Sequence, residues 1–178
     1  IPPFTAICTH LLHHSLNTDT ACICIIDGYL IIGQGTFGWC VSSTNGTHLA
    51  TGIGPAQGMH PSSHRAEGYG MLSILRFLNH IFHLCGTHLR CSAIHSDNVA
   101  LIQRLQEQRI KQQWYPNHTL SSYWDVIQGI IQTLNSFPSQ PLISHVRGHQ
   151  DLTTKYSKLS LEAQLNVDAY VMATHQRM

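Results

Sequence analysis

Ala21-Cys-Ile-Cys-Ile-Ile-Asp27-Gly28 is the stretch on which the reading of the fold turns. Ala21 to Ile26 is an unbroken apolar run, the pattern of a strand buried on both faces. Asp27 ends it in phase with Ile23 and Ile25, so the strand carries a carboxylate into apolar surroundings. Working outward, Gly35-Thr-Phe-Gly-Trp-Cys-Val41 predicts a second strand, Ser43-Thr-Asn-Gly46 a turn, and His48 to Ile53 a third strand, together an antiparallel meander. The period then changes. Met71, Ile74, Leu75, Leu78 and Phe82 recur at three and four, which predicts a helix from Ser62 to about Phe82, capped by Ser62 or Ser63. Cys91 to Ser96 reads as a strand, Asn98 to Gln108 as a short helix, and Ser121 to Asn135 as a helix stopped before Pro138. Leu142 to Val146 reads as a fifth strand and Leu161 to about His175 as a closing helix. This order describes an α/β domain whose hairpin-built sheet continues in parallel through helical crossovers. Residues 1–20 have no clean period and contain Pro2-Pro3 and His13-His14. They read as a linker or the end of a preceding domain, leaving 21–178 as one domain.

Composition narrows the classes of function. Of 178 residues, 43% are hydrophobic and 11% charged, against about 25% charged in an average domain. That excludes a disordered tail and a charged coiled coil. A formal charge of +1 excludes bulk electrostatic binding of nucleic acid but leaves room for a local basic groove. Every apolar run falls short of the ~18 residues of a membrane helix, so no membrane partner is expected. Ile1-Pro2-Pro3 lacks the basic start of a signal peptide and reads as part of a longer precursor in an intracellular setting, cytoplasm or nucleus. Cys22 and Cys24 alternate with isoleucines, as small strand residues do, and the six cysteines are expected to be reduced.

With only nine acidic residues, their placement is informative. Asp97 follows the strand ending at Ser96, just before a helix begins. Glu67 lies in the predicted first turn of the long helix, on the same stripe as Met71, Ile74, Leu75 and Leu78. Each acid has an ordinary structural explanation: Asp27-Gly28 as a turn, Glu67 as an acid favoured by the helix dipole, Asp97 as a strand-end residue. Three carboxylates on apolar elements nevertheless cost several kcal/mol each if unpaired, and so point to a cation between them. An all-oxygen set suits Mg²⁺ or Mn²⁺ better than zinc, and His60-x₃-His64, His145-x₃-His149 and Cys85/His88/Cys91 lack a recognisable zinc pattern. Two such ions about 4 Å apart clamp the attacking and leaving oxygens in phosphoryl displacement.

These residues carry a family resemblance. Asp27-Gly28 followed by Gly35-Thr-Phe-Gly-Trp, Ser62-Ser-His-Arg-Ala-Glu67 opening a Leu-rich helix, Ile94-His-Ser-Asp97-Asn98, His145-Val-Arg-Gly-His149-Gln, and Leu165-Asn-Val-Asp-Ala-Tyr-Val-Met-Ala173 occur in the order seen in type 1 ribonuclease H domains. The chain resembles in particular those of retroelement reverse-transcriptase polyproteins, over about residues 21–175. The resemblance implies a five-stranded mixed sheet in the order 3-2-1-4-5, with its first three strands antiparallel. It also implies endonucleolytic hydrolysis of RNA in RNA–DNA hybrids with Mg²⁺ or Mn²⁺, and a reverse-transcriptase domain in the same polyprotein. Asp27, Glu67 and Asp97 fall on three of the family's four metal-binding carboxylates. His149 falls on its proton-shuttling histidine, and Arg65 and Asn166 on positions near the nucleic acid.

The fourth carboxylate is the departure. Counting from Asn166, it falls on Tyr170; Asp168, two residues earlier, lies ~200° around the helix. A phenol is neutral at pH 7, so the second ion loses a ligand and activity is expected to be impaired. The alternative is a catalytically inactive nucleic-acid-binding or structural domain of a degenerate polyprotein. A second departure is Tyr29-Leu-Ile-Ile32, apolar where the family has a polar loop; it is expected to extend the first strand or to cover the N-terminal segment.

Overall fold

The computed structural model describes residues 21–58, 60–85, 91–111 and 119–175. Residues 1–20, Cys8 among them, His88, and the sequence expectations that rest on them lie outside the described residues, as do the side chains of Cys85 and Cys91. Among the described residues there are five strands, β1 (Cys22–Ile31), β2 (Gln34–Ser43), β3 (His48–Ala56), β4 (Cys91–Ser96) and β5 (Leu142–His145), and four helices, α1 (Ser63–Cys85), α2 (Val99–Lys111), α3 (Trp124–Asn135) and α4 (Leu161–His175). The sheet has the order β3-β2-β1-β4-β5. β1, β2 and β3 pair antiparallel, and β1–β4 and β4–β5 pair parallel. The expected α/β architecture is therefore the observed one.

The strand alternation sorts β1 onto two faces. Cys22, Cys24 and Ile26 join Trp39 and the buried stripes of α1, α2 and α3 in one large apolar cluster. Ile25 joins Cys40, Leu165 and Ala169 beneath α4, with Ile23 and Met172 at the margin. Cys22, Cys24 and Cys40 are fully buried along β1 and β2, as small strand residues should be.

Boundaries differ where local chemistry overrides period. β1 runs to Ile31, so Tyr29, Leu30 and Ile31 extend the strand, and Ile31 pairs with Gln34 across a two-residue turn. Ile32 and Gly33 both have positive φ, 42° and 76°. This is the sense of twist that tight hairpins require. Gly28 is therefore mid-strand, not the turn residue that Asp27-Gly28 suggested. α1 begins at Ser63 with the Ser62 hydroxyl accepting from the Arg65 amide at 3.0 Å, so Glu67 lies one turn in, not in the first turn. Asn98 caps α2 by accepting from the Leu101 amide at 3.0 Å.

Candidate metal centre

Parallel pairing of β1 with β4 ends at Ile25–His95. Beyond that point each strand carries a carboxylate, Asp27 on β1 and Asp97 just past β4, and α1 delivers Glu67 between them. Glu67 Oε1 accepts from the Gly28 amide at 2.8 Å and Oε2 from the Ser96 hydroxyl at 3.0 Å. One side chain therefore bridges the two strands where their backbone bonds have stopped. Asp27, Glu67 and Asp97 each offer an oxygen within 4.8 Å of the others, and they are the group of this kind found among the described residues.

Asp27 and Glu67 are each only 3% exposed. Burial, with the charge of Asp97 adding to it, pushes the Asp27 carboxyl up to about 7, against its bonds to Glu67, Gly28 and Asn166. Burial and the charges of Asp27 and Asp97 raise Glu67 well above the ordinary range. Without a cation, burial and mutual repulsion favour the protonated forms of Asp27 and Glu67. A divalent cation meets both the oxygen-only donors and the uncompensated charge, so the residues present fit such an ion.

The loop after β5 closes on this cluster. A side chain at Gly148 would run into the Asp97 carboxylate, so only glycine lets the loop approach so near. His149 follows, exposed, with φ 53° at the start of a short 3-10 turn over Gln150–Leu152. Its ring meets the Tyr170 ring edge to face at 5.0 Å, and Tyr170 meets Tyr29 in the same manner at 5.7 Å. Tyr170 thus sits between the strand of Asp27 and the loop against Asp97. Asp168 faces elsewhere: it accepts from the Tyr156 hydroxyl at 3.0 Å and lies 3.1 Å from His48 Nε2.

Two expected nucleic-acid contacts have protein partners here. Asn166 is 1% exposed and donates from Nδ2 to Asp27 Oδ2 at 3.3 Å. The Arg65 guanidinium is paired with both oxygens of Asp125 on α3, donates to the Gln57 carbonyl, and lies 5.3 Å from the Tyr69 ring. Ser96, Asp125 and Gly148 were given no role from the sequence, and Tyr29 was marked only as part of the apolar Tyr29-Leu-Ile-Ile32 stretch. Ser96 directly precedes Asp97, and Gly148 directly precedes His149; that adjacency was the available signal for both. Asp125 is sixty positions from Arg65, and nothing local links them.

No protein-family model matches the chain, and no curated protein matches it. Solved structures do match its fold. An RNase H1 from the halophilic archaeon Halobacterium salinarum NRC-1 superposes with a TM-score of 0.53 at 16% identity, covering 86% of this chain and 95% of that one. LC11-RNase H1, isolated from compost, gives 0.57 at 13% identity over 87% and 94%. Prototype foamy virus protease-reverse transcriptase gives 0.61 at 14% identity, covering 88% of this chain but 20% of the viral one. The chain therefore has an RNase H-like fold. LC11-RNase H1 and the foamy viral protein have each been solved in complex with an RNA/DNA hybrid. Among the described residues no helix is long and apolar enough to cross a membrane.

Proposed function

We propose that this domain hydrolyses the RNA strand of RNA–DNA hybrids as part of a reverse-transcriptase polyprotein, spanning residues 21–178. The observation that carries this reading is the convergence of Asp27, Glu67 and Asp97 where β1 and β4 part. That is where sheets with crossover connections open a crevice beyond their strand ends. The three carboxylates would hold Mg²⁺ or Mn²⁺. A pair of such ions would supply Lewis acidity at the phosphoryl oxygens and an activated water. Asn166 holds Asp27 in place, and Gly28 and Ser96 hold Glu67, so the donor set is oriented before substrate arrives. His149, exposed at the rim, would donate a proton to the leaving ribose oxygen as the phosphorus–oxygen bond breaks. Hybrid recognition would rest on 2′-hydroxyl and phosphate contacts rather than on base edges.

Tyr170 favours the alternative, an inactive nucleic-acid-binding or structural domain, because it supplies no charge at the fourth position. A labelled RNA–DNA hybrid incubated with the protein and Mg²⁺ or Mn²⁺ decides between the two. Slow cleavage that Asp27→Asn abolishes is the expected result. Hybrid binding without cleavage would establish the alternative instead.

A further inference from the structure

We propose that Tyr170 is a positioning residue for His149: its ring, standing where a carboxylate is expected, holds the imidazole over the carboxylate cluster. The proposal rests on the hydrolase reading for its catalytic meaning, but the contact itself can be measured apart from activity.

Three observations support it. The Tyr170 ring is wedged between two others, edge to face with His149 at 5.0 Å and 85° and with Tyr29 at 5.7 Å and 86°. Both neighbours are tied to the cluster, Tyr29 two residues beyond Asp27 on the same strand face and His149 directly after the glycine that abuts Asp97. Second, His149 has a left-handed backbone, and its side chain makes no capping bond at the turn it begins. Among the described residues its imidazole has no hydrogen bond to fix its direction, so the Tyr170 contact is what orients it. Third, α4 is fixed in rotation by two other side chains, one on the edge of Tyr170 and one on the opposite edge. Asp168 takes the Tyr156 hydroxyl and faces His48, and Asn166 reaches Asp27. With both side chains anchored, Tyr170 is aimed at the rim and not left to find it.

A side chain that merely fills the place of a lost ligand would tolerate any neutral residue of similar size. A ring that positions His149 would not. The expected kinetic result is that Tyr170→Leu lowers kcat by about tenfold to a hundredfold, the cost of a mispositioned proton donor, with KM within about twofold. Tyr170→Phe, which keeps the ring and drops the hydroxyl, should rescue most of that loss. In a His149→Ala background, Tyr170→Leu should cost little more, since the group it positions is gone. The second readout is the His149 ring-proton resonance, assigned by its disappearance in His149→Ala. It should be displaced by ring current in the wild type and in Tyr170→Phe, and should move to the free-histidine position in Tyr170→Leu. Equal kcat for the Leu and Phe variants, or a resonance indifferent to both, would overturn the proposal. If the wild type cleaves no hybrid, the hydrolase reading falls and the catalytic use of the contact falls with it. The resonance would still decide whether Tyr170 holds His149.

Discussion

The two faces of the sheet are built on different terms. Beneath α1, α2 and α3 lies a thick apolar layer in which Ile26, Trp39, Met71, Ile74, Leu75, Leu78, Leu101 and Ile130 are almost wholly buried. Beneath α4 the layer is thin, with Ile25, Cys40, Leu165 and Ala169. Small residues there let the helix backbone descend almost onto β2. A side chain at Gly38, the partner of Asp27 in the ladder, would meet the Ala169 carbonyl and the Ala173 amide. That close approach brings Asn166 to Asp27 and Tyr170 to Tyr29. The thick face supplies stability, while the thin face supplies the distances of the site.

This contrast can be broken in several ways. Truncating the thick face should cost most: Leu75→Ala, fully buried, is expected to destabilise by about 2–5 kcal/mol in urea unfolding. A loss below about 1 kcal/mol would mean the layer is not the main support. Next comes Gly38→Ala, which overfills the thin face. About 1–3 kcal/mol should be lost, and metal affinity should fall with it because α4 must lift away from Asp27. An equal loss of stability with unchanged Mg²⁺ affinity would show that the thin face does not set the site.

The third test uses charge. The folded Asp27 carboxyl titrates at about 7, against 3.8 ordinarily, so between these values the folded state holds more protons than the unfolded one. Stability of the metal-free protein must therefore fall as pH rises from about 4 to 7, and Glu67, raised too, adds to the fall. Its melting temperature should be higher at pH 5 than at pH 8, and millimolar Mg²⁺ should raise it more at pH 8. A metal-free melting temperature independent of pH would remove the argument for uncompensated charge. The smallest effect concerns Ile32, 96% exposed at a positive φ. Ile32→Asn should stabilise by about 0.5–1 kcal/mol, since Asn-Gly suits this turn where a β-branched residue is strained. No change in thermal denaturation would mean the turn relaxes without cost.

The thick face was legible in sequence because long side chains recur at the helical period in α1 and because β1 opens with an unbroken apolar run, which requires cover on both faces. α4 was legible as an element, Leu161 to about His175, but the roles of its site edge came from resemblance to a known helix: its buried set is Ala163, Leu165, Asn166, Ala169 and Ala173, small and mixed residues that mark a face only weakly. Asp27, Glu67 and Asp97 could be singled out because apolar neighbours made their charge conspicuous. The partners of Arg65 and Asn166 could not, since each comes from a distant segment that only the folded chain brings near. The first turn of α1 was misplaced around Glu67 because either Ser62 or Ser63 could cap the helix, and only Ser62 does.

Glu67 has a consequence for timing as well as for chemistry. By accepting from Gly28 on one strand and from Ser96 on the other, it closes a seam that the sheet itself leaves open. The Gly28 amide can then exchange with solvent only when that carboxylate lets go. Its deuterium-exchange rate becomes a clock for the opening of the centre. A cation that draws the Glu67 oxygens toward itself should change the rate at Gly28 while leaving an amide such as that of Cys40, deep in the β1–β2 ladder, unaltered.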